Sequence, residues 1–95
     1  MSEEKLPPIH PGEILLEEFL KPMGLTQVAL ATHLGVPNQR VNELVRGKRG
    51  VTSETAWLLA QAFKTSPEFW VNLQSNYDLA LNRPENTVEP LARVG

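Results

Sequence analysis

The sequence predicts an all-α fold, a bundle of five helices that includes a helix-turn-helix. The chain lacks the alternation of apolar and polar residues that indicates strands. Prolines and glycines instead divide its 95 residues into five segments with apolar side chains at helical spacing. The helix-turn-helix is predicted at residues 27–47, where the small Ala31 precedes the breaker Gly35, and Val36 and Pro37 open a second helix.

The first two helices are bounded by residues that begin and end helices well. Helix one is predicted over about residues 11–20, because Pro11 suits a first helical turn and Gly24 a stop. Thr26 is a good N-cap for helix two. We expect helix two to end before Gly35, since glycine tolerates the left-handed conformation found at helix ends.

Helices three and four have similar signals at their ends. Helix three is predicted over about residues 37–46 and is closed by Gly47. Helix four follows Thr52 or Ser53 as its cap and runs to about residue 64.

Helix five is predicted to begin after Ser66, with Pro67 at its first position, and to reach about residue 82. An apolar stripe along it suits the core, and its large aromatic residues would equally suit an interface between two copies. The stripe residues that we assign to a dimer interface are Phe69, Trp70, Leu73 and Tyr77. The predicted domain therefore spans residues 10–83, between flexible tails at 1–9 and 84–95.

The composition excludes several classes of protein. The chain has no cysteine, which rules out disulfides and thiolate metal sites and suits a reducing compartment. Its apolar runs are only a few residues long, too short for a membrane span. The amino-terminal residues are acidic and lack the basic-then-apolar order of a signal peptide. We therefore expect a cytoplasmic protein without a membrane partner.

Charge is distributed unevenly along the chain. The net charge is −2, yet residues 22–63 carry four basic side chains against two acidic ones. These bases lie within ten residues, at and just after helix three: Arg40, Arg46, Lys48 and Arg49. Because the local field rather than the net charge decides phosphate binding, the cluster is compatible with a nucleic-acid partner.

Helix three has an apolar and a polar side. Val41, Leu44 and Val45 share the side expected to face the core. The opposite side carries groups that match base edges, since glutamine and asparagine bond adenine, arginine bonds guanine and glutamate bonds cytosine. These residues are Gln39, Asn42, Glu43 and Arg46, with Asn38 at the amino-terminal end and Arg40 on the flank. The pattern predicts a helix that reads the major groove, against the plainer alternative of a solvated polar face.

Groups that suit phosphate flank this helix at both ends. Gln27 stands at the start of helix two, where its amide and free backbone N–H groups can hold a phosphate. The loop at residues 46–50 supplies Arg46, Lys48 and Arg49 at the other end. An amide-rich helix between two phosphate contacts favours sequence-specific binding of double-stranded DNA.

Several separated runs resemble a known family. They are HPGEILLEEFLKPMGLTQ, GKRGVTSETA with the following LAQAF, and TSPEFWVNLQ, together with the helix pair at 27–47. In this order and spacing, residues 10 to about 83 resemble the HigA-type antitoxins, a branch of the phage-repressor-like (XRE) helix-turn-helix proteins.

The resemblance implies a lambda-repressor-like DNA-binding domain that forms a homodimer through the helix after SPEFW. It implies binding to a palindromic operator, usually in the promoter of the protein's own operon. It also implies a toxin partner, a small basic protein similar to the RelE/HigB-type mRNA endonucleases, which such antitoxins silence. The DNA-contact positions that it indicates in this sequence are Gln27, Pro37, Asn38, Gln39, Arg40, Asn42, Glu43, Arg46 and Lys48.

Other functions were weighed against this one. An enzyme is disfavoured, because His10 precedes Pro11 as a helix cap, His33 falls on a wet surface, and neither has a catalytic partner. No catalytic residue, metal site or cofactor is expected. An orphan regulator without a toxin and a protein-interaction module both remain open. The acids of helix one would suit a basic toxin or would simply aid solubility: Glu13, Glu17 and Glu18.

Overall fold

The computed structural model describes residues 7–92, so parts of the two predicted tails, residues 1–6 and 93–95, lie outside the described residues. Within the described range the secondary structure is wholly helical, as predicted. The first helix, α1, is continuous over residues 11–23 and consists of the segments Pro11–Ile14, Leu15–Leu20 and Lys21–Met23. The other four are α2 (Gln27–Leu34), α3 (Asn38–Val45), α4 (Ser53–Phe63) and α5 (Pro67–Leu81).

Helix α1 extends beyond its predicted end at residue 20. Its middle segment, Leu15–Leu20, is wound as a π-helix, and the N–H of Lys21 bonds the carbonyl of Leu16, five residues back. In an ordinary α-helix, Pro22 would clash with the carbonyl four residues before it and would leave that carbonyl without a donor. The wider turn that precedes Pro22 lets the helix continue to Met23.

Side-chain caps begin four of the helices, as predicted. The Nδ1 atom of His10 accepts the backbone N–H of Gly12 at 2.8 Å. The hydroxyl groups of Thr26, Thr52 and Ser66 begin α2, α4 and α5, each accepting a backbone N–H three residues ahead at 3.0 to 3.2 Å. The cap of α4 is therefore Thr52, one of the two predicted candidates.

The corner between α2 and α3 has the predicted geometry. Gly35 adopts the left-handed conformation, with φ of 75° and ψ of 32°. The carbonyl of Ala31 then accepts the N–H groups of Gly35 at 2.9 Å and Val36 at 3.0 Å, which closes the end of α2. Ala31 itself is fully buried, so a small residue does stand where the two helices meet.

The core lies between the five helices and is built around one tryptophan. Trp70 is 0 % exposed, packs against Phe19 and Phe63 with tilted rings, and donates its indole N–H to the Thr65 hydroxyl at 2.8 Å. The assignment of Trp70 to a dimer interface is therefore wrong, because no part of its side chain reaches the surface. The other buried apolar residues are Leu15, Leu20, Leu30, Ala31, Val41, Leu44, Val51, Ala56, Leu59 and Ala60.

Helix α1 approaches the end of α3 closely at Gly12. The residue is buried, and a Cβ atom there would overlap the backbone carbonyl of Leu44. Only glycine allows the two backbones this contact. The amino-terminal end of α1 therefore supports α3 from its core side, an interaction that no local sequence signal indicated.

In the described range, residues 7–92, every helix falls short of the length and apolar character that crossing a membrane requires.

Replacing Gly12 with alanine is expected to lower the free energy of unfolding by about 3 kcal/mol, because the added methyl group meets backbone that cannot rotate away. Urea denaturation followed by circular dichroism measures this change. Glu13→Ala, at the exposed neighbouring position, is the matched control and should alter stability by no more than about 0.5 kcal/mol. Equal midpoints for Gly12→Ala and the unmodified protein would contradict the close contact.

Candidate nucleic-acid interface

Helix α3 divides into a buried and an exposed side. Val41 and Leu44 are each 3 % exposed and pack into the core. The polar residues expected to read bases point outward: Asn38, Gln39, Asn42 and Arg46 are exposed, and Glu43 is half-buried. The structure thus places these side chains on one accessible surface, which is the condition for entering a groove.

The first two helices of the motif share a polar contact on this surface. The Nδ2 atom of Asn42 in α3 donates to the Oε1 atom of Gln27 in α2 at 3.1 Å, although the two residues are 15 positions apart. Gln27 is half-buried and stands at the first position of α2, directly after its cap Thr26. The helix-turn-helix corner therefore brings a predicted phosphate contact and a predicted base contact together.

A second network connects α3 to the loop that follows it. The Nε2 atom of Gln39 donates to Glu43 Oε2 at 2.8 Å, while Nε and a terminal nitrogen of Arg49 donate to Glu43 Oε1 at 3.0 and 2.8 Å. The hydrogen bond from Gln39, followed by that from Arg49, lowers the pKa of Glu43, because both bonds favour the charged carboxylate. Glu43 therefore fixes the orientation of one amide and one guanidinium on the exposed face.

Five of the predicted contacts lie outside these two networks: Asn38 and Arg46, on the exposed side of α3 described above, and three others. Pro37 is exposed and forms the extended residue before α3. Lys48 is exposed in the loop, and its backbone N–H donates to the carbonyl of Glu43 at 2.8 Å. Arg40 faces α4, where its guanidinium lies 3.7 Å from Glu54. Arg40 is thus turned toward the flank of α3, away from the Gln27–Asn42 pair.

The predicted interface residues on α5 differ in their surroundings. Phe69 is exposed, whereas Leu73 and Tyr77 are half-buried, and the Tyr77 ring meets the His10 imidazole edge-to-face at 4.8 Å. Trp57 on α4, which is 58 % exposed, was not among the predicted interface residues. An exposed tryptophan between buried neighbours at positions 56 and 59 could have been found from helical periodicity.

A two-helix corner whose second helix presents amides and an arginine to solvent, followed by a basic loop, defines a helix-turn-helix protein of the DNA-binding class. Consistent with this, residues 16–70 match the helix-turn-helix family. Virulence-associated protein I of Dichelobacter nodosus is 45 % identical over 95 residues, which covers 96 % of this chain and 88 % of that protein. Antitoxin HigA-1 of Vibrio cholerae is 45 % identical over 80 residues, which covers 83 % of this chain and 74 % of that protein.

A solved structure gives the same relationship. Pseudomonas aeruginosa antitoxin HigA with the higBA promoter has a TM-score of 0.77 and 49 % identity, and the match covers 78 % of this chain and 80 % of that one. The chain belongs to the HigA-type antitoxins of the helix-turn-helix family. The resemblance stated from the sequence is confirmed. The family comprises DNA-binding regulators rather than enzymes.

Proposed function

We propose that this protein is an antitoxin and transcriptional repressor that binds a palindromic operator in the promoter of its own operon as a homodimer. Residues 10–83 are the proposed functional unit, and the bacterial cytoplasm, where the operator lies, is the proposed site of action. The hydrogen bond between Asn42 and Gln27 carries this proposal, because it unites a base-reading amide and a phosphate-binding helix end on one exposed surface. The HigA relative solved with a promoter supports it.

The amides keep free hydrogen-bonding groups for DNA. Gln39 donates one N–H to Glu43, and Asn42 donates one to Gln27. Each amide therefore retains a second N–H and a carbonyl oxygen, the pair that matches the N7 and N6 edge of adenine. Because each side chain is already held by a neighbour, less conformational entropy is lost when it meets a base.

The basic loop supplies the phosphate contacts. Lys48 is exposed, and Arg49 forms its ion pair with Glu43 at the surface. Exposed ion pairs contribute little stability, so a phosphate can compete with Glu43 for the guanidinium. Gln27 and the start of α2 provide a further contact, beside Asn42.

Binding to the DNA upstream of the protein's own gene should depend steeply on salt. Contacts to about 6–10 phosphates reduce affinity at least a thousand-fold between 50 and 200 mM salt.

Gln39→Ala should reduce base discrimination by about 1–3 kcal/mol, whereas Lys48→Ala should weaken all sequences alike and lower the salt slope by about one. Fluorescence anisotropy with operator and scrambled duplexes measures both effects, and affinity that ignores salt would refute the proposal.

Dimerisation doubles the length of DNA that two short helices can read. Trp57, Val71 and Pro67 line one shallow hollow between α4 and α5. Glu54, one turn before Trp57, reaches Arg40 of α3, so this apolar surface adjoins the reading helix. We propose that a second copy covers it, because an exposed apolar surface beside the reading helix suits the pairing of two copies on one duplex. The α5 residues predicted for the interface lie on the other side of that helix from Pro67 and Val71 and remain a separate candidate: Phe69, Leu73 and Tyr77.

Trp57→Ser is expected to convert the dimer to a monomer, because the exposed indole contributes the largest apolar area to this surface. Sedimentation velocity measures the oligomeric state. The control is Leu79→Ser, which alters another exposed apolar residue, 73 % exposed near the end of α5. Dissociation by Leu79→Ser alone would instead place the interface at the carboxy-terminal end of α5.

We also propose that the protein neutralises a small basic toxin of the RelE/HigB type, as expected of an antitoxin. The relative named antitoxin HigA-1 supports this role. Co-expression with the product of the adjacent small basic gene should yield a stable complex and restore growth. A neighbouring product that neither binds nor inhibits growth would leave the orphan-regulator function.

A further inference from the structure

We propose that Gln74 on α5 is a positioning residue for DNA binding, which holds the basic loop at residues 46–51 in its binding conformation. The inference rests on the proposed function, because it concerns how Lys48 and Arg49 are presented to phosphate. It adds a residue distant from α3, on a helix that neither reads bases nor contacts phosphate in that proposal.

Gln74 bonds the end of the loop directly. Its Oε1 atom accepts the backbone N–H of Val51 at 2.7 Å, across 23 positions of sequence. Val51 is buried, so this N–H has little access to water and depends on the amide. The chain also passes close over the same side chain at Gly50, where a Cβ atom would lie 3.0 Å from the Gln74 amide.

Asp78 determines which way the Gln74 amide faces. The Nε2 atom of Gln74 donates to Asp78 Oδ1 at 3.0 Å, one turn along α5. Val51 can only donate here and a carboxylate can only accept, so a flipped amide would lose both bonds. The Gln74–Asp78 pair is therefore a directional acceptor aimed at the loop.

The same turn of α5 also supports the beginning of the loop through His10. The His10 ring packs against Tyr77, and a Cβ atom on Gly47 would lie 3.8 Å from His10 Cγ. Burial lowers the pKa of His10, although the charge of Asp78 acts in the opposite direction. The lower pKa favours the neutral imidazole, whose Nδ1 atom caps α1. Both ends of the loop thus rest on residues 74–78 of α5, and Lys48 and Arg49 lie between these supports.

The first variant removes both hydrogen bonds without adding charge. Gln74→Met should expose the Val51 amide to hydrogen exchange, weaken binding about tenfold for operator and scrambled DNA alike, and lower the salt slope by one to two. Base preference should persist, because Gln39 and Asn42 are unchanged. Gln61→Met, an exposed position on α4, is the matched control and should bind as the unmodified protein does.

The second variant restores both hydrogen bonds but reverses the one between positions 74 and 78, so that residue 78 becomes the donor. In Gln74→Glu/Asp78→Asn, the new carboxylate can accept from both Val51 and the new amide, and the charge of the pair stays the same. The double variant should recover Val51 protection and the salt slope. Gln74→Glu alone should recover less of both, because its carboxylate can still accept from Val51 but faces the Asp78 carboxylate with no hydrogen bond between them.

A cycle with Lys48→Ala separates positioning from general loss of stability. If Gln74 acts through the loop, Lys48→Ala should cost less in the Gln74→Met background than in the unmodified protein. Additive losses, or an unchanged salt slope in Gln74→Met, would overturn the inference. Failure of the proposed function is distinguishable, because the unmodified protein itself would then lack salt-dependent DNA binding.

Discussion

The corner between α2 and α3 is the constraint on which the rest of the molecule depends. The left-handed conformation of Gly35 lets the Ala31 carbonyl close α2 and directs the chain immediately into α3. With the angle fixed, Asn42 reaches Gln27, and Val41 and Leu44 enter the core. The contact of α1 with the end of α3 supports the α2–α3 pair from its core side. The exposed polar surface is therefore a product of backbone geometry as much as of side-chain chemistry.

A chain with a net charge of −2 can still present a basic surface, because its acids and bases are segregated. Within that surface Glu43 is an exception. Its carboxylate orients Gln39 and holds Arg49, and these same contacts lower its pKa. One acidic residue thereby organises the polar face while partly cancelling the local positive field.

Much of the fold could be predicted from the sequence, because helix caps, breakers and periodicity are local signals. The caps at Thr26 and Ser66 and the turn at Gly35 are of this kind. Which part of an apolar stripe is covered within one chain, however, depends on neighbouring helices, so Trp70 was assigned to a dimer interface and Trp57 was overlooked. The ion pair of Arg40 with Glu54 likewise depends on a neighbouring helix, and no sequence pattern indicated it. Gly12 and Gln74 act through contacts distant in sequence, which no local pattern reveals.

The ion pair between Glu43 and Arg49 has a consequence for how such a repressor would locate its operator. The carboxylate of Glu43 partly neutralises this guanidinium, so random sequence gains less from Arg49 than from a free arginine. A bacterial chromosome offers on the order of a million or more competing sites. Shorter residence at each of them leaves more protein free to diffuse, and the time needed to find one promoter falls accordingly.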